Sequence, residues 1–343
     1  MTSASTQSNK ELVWEFWQSL NKANAETVGD VVNRYLHPSI DWMGCHPFNQ
    51  ISRTADLVQH YWQPMLHAFP DLKRQSYIFF GGPFQSERGE DNSNMYGEWV
   101  CATGDFVGTF AHDWLGIPAT GQPMRIRFGE FCRVEDGKIS AGRVILDLID
   151  VMREAGYRVL PVATGAEILI PGPQTGDGIL LTPQAESESI KSLDLVEAML
   201  FKGLASYNQQ ALSSMGNARF WTENMHWYGP GGIGTTYGIG GFENQHQKPF
   251  LHAFPDRKGG HHDVRIAEGL YVASTGWPSL FATHAGDYLG APATGKRIGM
   301  RVMDWWRREG DLLPENWIFI DMIDLFLQFG IDLFARLKTQ VAP

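Results

Sequence analysis

The sequence predicts an α+β protein built from two tandem lobes of one fold, because three segments of the chain occur twice in the same order. Residues 66–71 and 251–256 both read LHAFPD, an offset of 185 residues. LGIPATG at 115–121 returns as LGAPATG at 289–295, an offset of 174 residues. The third match is an apolar run near the end of each half that closes on an aspartate, again with an offset of 174. A period this long excludes a solenoid repeat and indicates a duplicated domain.

The duplication also sets the domain boundaries. A chain of 343 residues suits two domains of ordinary size. We predict a first lobe over 1–157, a connector over 158–189 and a second lobe over 190–343. The connector mixes Pro, Gly and Thr with short apolar runs, which makes it too apolar for a flexible tether. We therefore expect it to lie between the lobes.

Within each lobe, helices come first and strands follow. Apolar residues recur at helical spacing in the early segments, and the later runs are rich in aromatic and β-branched residues. EDGK predicts a tight hairpin, whereas its counterpart REGDLLPEN predicts a longer turn. Two cone-shaped α+β barrels result, each with N-terminal helices packed in a curved antiparallel sheet around a small-molecule pocket. For the first lobe, the predicted helices are 10–36 and 53–69, and the predicted strands are 76–80, 95–111, 123–134 and 138–147.

Composition excludes several classes of function. The net charge is −10 without a basic cluster, so nucleic acid is not an expected partner. The three cysteines have no CxxC or Cys/His spacing, which predicts no disulfide framework or structural zinc site and favours a reducing cytoplasm. The N-terminus lacks a signal-peptide pattern. The most apolar stretch, 318–337, contains three aspartates, so we expect no membrane-spanning segment.

The repeated blocks resemble the SnoaL-like polyketide cyclase family, which belongs to the nuclear-transport-factor-2-like superfamily. In the second lobe the matching residues are FPD at 254–256, THAG at 283–286, LG and PATGK within 289–296, Arg301, and Trp317 to Asp321. The resemblance covers most of both lobes. It implies a cone-shaped fold and an acid/base site formed by the closing aspartate and the histidine of the THAG block.

By this resemblance, Asp321 would be the acid/base and His284 would assist it. Burial raises the pKa of a carboxyl group towards neutrality, so such an aspartate can take a proton from a carbon next to a carbonyl. The alternative for Asp321 is the N-cap of the following helix, a role that Asp324 fits better. Lower-ranked candidates for the same cavity are His226, Tyr228, His246, Trp277, Tyr288, Arg301, Trp305, Trp306 and Trp317.

The first lobe departs from the family pattern at two positions. Phe110 stands where the second lobe has His284, although a histidine two residues further on shares its strand face. An arginine replaces Trp317, and we expect it to lower the pKa of the closing carboxyl group in this lobe. The first cavity is therefore predicted to be the poorer catalyst. The first-lobe candidates are Asp147, His112, Arg143, Trp42 and His46.

Together these features favour a cofactor-independent enzyme that transfers protons on a small carbonyl compound, polyketide-like or cyclic, in a cyclisation, isomerisation or elimination. The alternatives are a non-catalytic small-molecule-binding protein and a hydrolase that uses an Asp-activated water. No dinucleotide site is predicted, because the glycine-rich runs at 231–234 and 238–241 lack a strand–loop–helix context. No metal site is predicted either, because the sequence has no metal-ligand spacing. The expected partner is a small-molecule substrate, and the sequence is compatible with a monomer or a homodimer.

Overall fold

The computed structural model describes residues 1–84, 95–259 and 262–341. The sequence also predicts an exposed turn after Gly259, and His261 of that turn lies outside the described residues. The described chain forms two α+β lobes with the same order of elements, as the duplication predicts. The first lobe comprises α1 (Ala4–Leu20), α2 (Val28–Tyr35), β1 (Leu36–Gly44), β2 (Gln50–Arg53), α3 (Thr54–Leu57), α4 (Gln63–Ala68), β3 (Lys73–Phe84), β4 (Gly97–Thr109), β5 (Pro123–Glu135), β6 (Lys138–Leu146) and α5 (Leu148–Glu154). The second lobe comprises α6 (Glu186–Ala198), β7 (Trp221–Tyr228), β8 (Thr235–Tyr237), α7 (Gly238–Gly241), α8 (Lys248–Ala253), β9 (Lys258–Gly259), β10 (His262–Glu268), β11 (Tyr271–Thr283), β12 (Arg297–Glu309), β13 (Leu312–Ile320), α9 (Met322–Phe329) and α10 (Leu333–Val341).

Each lobe has one open, curved sheet. The strand order is β2-β1-β6-β5-β4-β3 in the first lobe and β10-β11-β12-β13-β7-β8 in the second, where β9 also pairs with β11. Strands β1 and β6, and likewise β13 and β7, run parallel, and the other pairs are antiparallel. The sheets do not close into the barrels that the sequence predicted, because β2 and β3 end the first one and β8 and β10 the second.

Both hairpins that precede the closing aspartates are tight. Asp136 and Gly137 form the two-residue turn predicted for EDGK, with positive φ angles of 49° and 70°. The prediction of a longer turn for REGDLLPEN is wrong, because β12 ends at Glu309 and β13 begins at Leu312. Gly310, at φ 58°, allows this close turn. Most of that segment therefore belongs to strands.

The two faces of each sheet have different partners. On the inner face of the second sheet, Trp227 stacks on His246 of the helical segment that joins α7 to α8, with 3.9 Å between ring centroids. The outer faces of the two sheets pack against each other. There Phe131 of the first lobe lies 5.1 Å from Trp305 of the second, measured between ring centroids. Side chains alternate between the faces along a strand, so sequence parity decides which residues face the cone and which face the other lobe.

The connector contacts both lobes. Its Ala166 forms a bridge with Thr235 of β8, and its Ile179 forms one with Phe79 of β3. Between these points, the Pro171 carbonyl accepts a hydrogen bond of 2.8 Å from the Trp317 indole on the outer face of the second sheet. Helix α6 begins at Glu186, within the predicted connector. The connector therefore covers sheet edges and the outer face.

The repeated FPD block is a structural device in both lobes. Asp256 accepts hydrogen bonds of 2.7 Å from both the backbone N–H and the hydroxyl of Thr283 at the end of β11. Asp71 makes the same pair of contacts with Thr109 at the end of β4. The block ties the end of a helix to the end of a strand. Within the described ranges, no helix is long and apolar enough to cross a membrane.

Candidate active site

A small space lies on the inner face of the first lobe's sheet. Its volume is about 10 Å³, close to the minimum for a single water molecule. Arg74 forms an ion pair with Glu130 there, and both side chains are buried. The Arg74 guanidinium also lies 4.2 Å from the Trp17 ring of α1 and 4.3 Å from the Phe128 ring. This space does not hold a substrate-sized molecule.

The duplication locates the corresponding point in the second lobe. Residues of the first lobe before its LHAFPD block map onto the second with the offset of 185, and those after LGIPATG with the offset of 174. The small space in the first lobe is lined by Trp42, Tyr61, Trp62, Glu130, Cys132, Gly142 and Val144, among others. Their counterparts in the second lobe are Trp227, His246, Gln247, Asp304, Trp306, Asn316 and Ile318.

Strand register confirms that these counterparts share one surface. Asn316 of β13 is paired with Trp306 of β12 on one side and with Trp227 of β7 on the other. Asp304 is paired with Ile318, two residues along the same face. Since paired residues point to the same side of a sheet, all of them lie on the inner face with Trp227.

Asp304 is a half-buried carboxyl group without a cationic partner among the described residues. Its one side-chain contact there is a hydrogen bond of 3.1 Å from the Asn316 amide to Oδ1. Burial raises the pKa of Asp304 from 3.8 to about 7, and the Asn316 hydrogen bond only partly opposes this. A carboxyl group with this pKa exchanges protons near neutral pH, as an acid/base catalyst must.

A single difference between the lobes explains why Asp304 has no arginine partner among the described residues. In the first lobe, Arg74 neutralises Glu130, the counterpart of Asp304. The counterpart of Arg74 is Gly259, which has no side chain to reach into the cone. The second lobe therefore has an acidic residue at this position and no arginine at the position of Arg74.

His246 adds a neutral hydrogen-bonding group to the same surface. Burial lowers the pKa of His246 from 6.5 to about 3, so the imidazole is uncharged at physiological pH. Its Nδ1 is buried, and no described polar group lies within hydrogen-bond distance of it. The indole nitrogen of Trp306 has the same status. Buried polar atoms of this kind call for a partner, and a bound molecule can supply it.

Asp321 lies elsewhere, at the contact between the lobes. It is the N-cap of α9, the role for which the sequence favoured Asp324, and accepts a hydrogen bond of 3.1 Å from the Asp324 backbone N–H. Its Oδ2 accepts a hydrogen bond of 2.8 Å from the backbone N–H of His46 in the first lobe. Arg301 lies 3.1 Å from the same oxygen. Burial raises the pKa of Asp321 to about 6, and the Arg301 charge opposes the shift.

His284 is enclosed by aromatic side chains and does not contact Asp321. Its ring stacks on Phe329 at 3.8 Å between centroids, and its Nδ1 lies 3.1 Å from the Thr294 hydroxyl. The side chain has no exposed surface. Burial lowers the pKa of His284, and the carboxylate that opposes the shift is that of Asp287. The structure therefore does not bring together the acid and the histidine that the family pattern pairs.

Asp321→Asn should make protein stability less dependent on pH. Because the folded-state pKa of about 6 exceeds the ordinary 3.8, the carboxyl group adds stability that is complete below pH 4 and lost as the pH rises through 6. Relative to the Asn variant, the wild type should lose up to about 3 kcal/mol between these limits. Urea unfolding at several pH values measures the difference, with exposed Asp136→Asn as the control. If the free energy of unfolding changes with pH equally in wild type and Asp321→Asn, the pKa of Asp321 is not raised in the folded protein.

The other second-lobe candidates divide between the two faces. Trp305 packs between the lobes and Trp317 contacts the connector, so the prediction that these two line the cavity is wrong. Tyr228 also lies on the outer face, where its hydroxyl donates to Glu315 at 3.3 Å. His226 stacks on Tyr228 and contacts Gln174 of the connector.

For three further candidates, the structure gives contacts with residues other than Asp304 and Asn316. Tyr288 packs edge-on against Phe254 at 5.0 Å between centroids, and burial raises the pKa of its hydroxyl. Trp277 is half-buried beneath the Arg301 guanidinium, 5.7 Å from it. Arg301 itself binds Asp321 and also lies 3.3 Å from Asp324.

Two expectations for the first lobe are wrong. Arg143 does not lie beside Asp147, because its guanidinium binds Asp41 at 2.7 Å and Asp263 of the second lobe at 2.9 Å. The pKa of Asp147 is raised to about 6 by burial rather than lowered, and the arginine that opposes the shift is Arg127.

The other first-lobe candidates lie apart from one another. His112 is exposed and stacks on His67 at 4.4 Å between centroids. Trp42 lies on the inner face of the first sheet, and His46 is at the lobe contact. Among the described residues, no group of three or more His, Cys, Asp or Glu side chains could hold a metal ion.

Asp304 and Asn316 are not among the site residues predicted from the sequence, although the position of Asp304 in its strand is unusual. Asp304 is an acidic residue in the middle of β12 with Met303 and Trp305 on either side. Aspartate is depleted in strands, so its presence there indicates a special role.

Comparison with known families agrees with the duplicated fold. The model of the SnoaL-like polyketide cyclase family matches residues 94–155 and 202–329, more than half of the chain and parts of both lobes. The chain belongs to the SnoaL-like polyketide cyclase family. No curated protein matches it.

Solved structures similar to this SnoaL-like protein correspond to one lobe each. AclR of Streptomyces galilaeus has 23% identity over 41% of this chain and 97% of its own, with a TM-score of 0.33. IdmH of Streptomyces antibioticus has 18% identity over 41% of this chain and 99% of its own, with a TM-score of 0.33. A SnoaL-like polyketide cyclase of Agrobacterium tumefaciens has 16% identity over 41% and 94%, with a TM-score of 0.28.

Proposed function

We propose that the second lobe catalyses proton transfer on a small carbonyl compound without a cofactor, with Asp304 as the acid/base. The observation that carries the proposal is the carboxyl group of Asp304 on the inner face of the cone, which is hydrogen-bonded to Asn316 and has no cationic partner among the described residues. Its counterpart in the first lobe, Glu130, is neutralised by an arginine. The assignment of the same roles to Asp321 and His284 stays a prediction, and Asp321→Asn tests its acid/base part below.

The reaction follows from the groups on this surface. The ionised Asp304 takes a proton from the carbon next to a carbonyl, and the electron pair of that C–H bond moves to the carbonyl oxygen. The neutral imidazole of His246 and the indole N–H of Trp306 are available to donate hydrogen bonds to the enolate oxygen. In a cyclisation the enolate carbon then attacks a second carbonyl, whose oxygen takes the electron pair of the C=O π bond and the proton from Asp304. In an isomerisation the enolate takes the proton back from Asp304 at another carbon.

The aromatic surroundings favour a flat substrate. Trp227 and Trp306 lie on either side of Asn316 on the same inner face, and both are buried. Aromatic rings stack against flat or cyclic molecules and exclude water from the reacting carbon. We therefore infer a cyclic ketone or a polyketide-like chain as the substrate class.

Hydrogen–deuterium exchange at carbon tests the proposal without knowledge of the natural substrate. Purified protein is incubated in heavy water with indanone or tetralone, and proton NMR follows the loss of the signal next to the carbonyl. The rate should exceed that in buffer and should rise with pH through a midpoint near 7, because only the carboxylate form of Asp304 accepts a proton.

The other outcomes separate the alternatives. Binding of the ketones without any exchange would favour the non-catalytic binding protein. An enhanced rate that is independent of pH between 5 and 9 would mean that a group other than Asp304 acts as the base.

A further inference from the structure

The loop after β7 is held by the first lobe. This loop, residues 229–234, reads GPGGIG and begins two residues after Trp227, the aromatic residue that stacks on His246. Gly229 and Gly231 approach other residues so closely that neither position accepts a Cβ without displacement. The glycines of this loop are therefore explained by close packing, because a side chain at Gly229 or Gly231 would collide with neighbouring atoms.

Arg127 of β5 makes the first of these contacts. Its guanidinium donates hydrogen bonds of 3.0 Å to the backbone carbonyls of Tyr228 and Gly229 in the second lobe. The same group lies 4.1 Å from the Phe319 ring of β13, and the side chain is buried. One planar group thus fixes two successive peptide units next to Trp227.

Asp147 makes the second contact. Its carboxylate accepts a hydrogen bond of 2.8 Å from the backbone N–H of Gly231 and lies 3.8 Å from Arg127. It also caps α5 through the Asp150 backbone N–H. A Cβ at Gly231 would lie 2.8 Å from Asp147 Oδ1, so a side chain there would push the loop away.

We propose that Arg127 and Asp147 of the first lobe are positioning residues for the site in the second lobe. The proposal rests on the proposed function, because it concerns the geometry of that site. Trp227 precedes the fixed peptides and is paired with Asn316, whose amide donates to Asp304. If the loop moves, Trp227 and the Asn316–Asp304 hydrogen bond move with it. A displacement of about 1 Å costs up to about 10²-fold in rate.

A reciprocal contact holds the corresponding loop of the first lobe. Asp321 accepts a hydrogen bond from the His46 backbone N–H, the counterpart of the Gly231 contact in the duplicated chain. That contact fixes the loop after Trp42, which lies in the first cone.

The test compares Arg127→Met with Lys10→Met in the full-length chain. Lys10 forms another buried ion pair between the lobes, 2.7 Å from Glu268. It is distant in sequence from the 229–234 loop and is the matched control for the loss of a buried cation. Two properties are measured: amide hydrogen exchange over 228–237, and the kcat and KM of deuterium exchange on indanone.

We expect Arg127→Met to speed amide exchange over 228–237 and to lower kcat by about 10-fold or more. KM should stay within about twofold if the loss lies in the transition state. Lys10→Met should leave both properties within about twofold of wild type, as expected for sites without shared partners. Arg127→Lys should restore part of kcat, because an ammonium group keeps the charge beside Asp147 but does not match two carbonyls in a fixed fork.

Several results would overturn the inference. These are an equal loss of kcat in Lys10→Met, unchanged amide exchange over 228–237 in Arg127→Met, or faster exchange with an unchanged kcat. If Arg127→Met fails to fold, Gly231→Ala probes the same contact from the second lobe. If the wild type is inactive on ketones, the proposed function fails. Positioning then stands only if Arg127→Met also speeds exchange over 242–250, the helical segment packed on Trp227.

Discussion

Asp304→Asn should abolish most of the catalysed deuterium exchange, with a loss of about 10²–10⁴-fold in kcat. Asparagine keeps the size of the side chain and its ability to accept the Asn316 hydrogen bond, but it cannot take a proton at neutral pH. The residual rate should lose the midpoint near pH 7, because the group that titrates there is gone. Initial rates of ketone exchange for wild type and variant between pH 5 and 9 measure both effects.

The variant also carries its own control for folding. The folded-state pKa of Asp304 is about 7, above the ordinary 3.8, so the stability linked to its protonated form is complete below pH 4 and lost as the pH rises through 7. Asparagine resembles the protonated form. Asp304→Asn should therefore be at least as stable as the wild type at pH 8 in urea unfolding, and a loss of activity cannot then come from a loss of fold.

Asp321→Asn decides between the two assignments of the acid/base. The structure gives Asp321 a role in capping α9 and in holding the backbone of His46, so this variant should lose less turnover than Asp304→Asn. If Asp321→Asn is the more damaging change at matched stability, the assignment based on the family pattern is correct and the one based on the inner face is wrong.

The architecture could be predicted from sequence because its signals are local. The helical spacing of Leu12 and Phe16 lies within α1, and the Asp136-Gly137 turn joins β5 to β6 as expected. The repeated blocks then gave the second lobe from the first. The family match agrees with that architecture. Propensity and periodicity act over a few residues, and a duplicated chain repeats them.

The site could not be predicted to the same degree, because it depends on which sheet face meets the other lobe. In β12 both faces are apolar, with Val302 and Trp306 on one and Met303 and Trp305 on the other. Sequence patterns distinguish a buried face from a solvated one, but not two buried faces from each other. Aromatic residues of the outer face, such as Trp305, were therefore assigned to the cavity.

The ion pair inside the first cone could not be predicted from local sequence patterns either. Arg74 follows the first LHAFPD block, and Glu130 lies in β5, a separation of 56 residues. Nothing in the local pattern of either residue indicates the other. The comparison between the copies holds the signal, because Arg74 corresponds to Gly259 and Glu130 to Asp304.

Arg74→Met should destabilise the protein by about 3–5 kcal/mol, because it leaves the Glu130 carboxylate buried without its cation. The double variant Arg74→Met/Glu130→Met should recover most of this loss. It removes both charges and replaces them with apolar side chains beside Trp17 and Phe128, which already contact the guanidinium. The free energy of unfolding in urea for wild type, both single variants and the double variant gives the coupling between the two residues.

Turnover by the same four proteins tests whether catalysis belongs to the second lobe. The ion pair lies in the first lobe, beside a space of only about 10 Å³, so its replacement by apolar side chains should leave ketone exchange within about twofold of wild type. The single variants should lose activity only in proportion to the unfolded fraction. If the folded double variant loses turnover as Asp304→Asn does, Glu130 takes part in the reaction, and the acid/base site is not confined to the second cone.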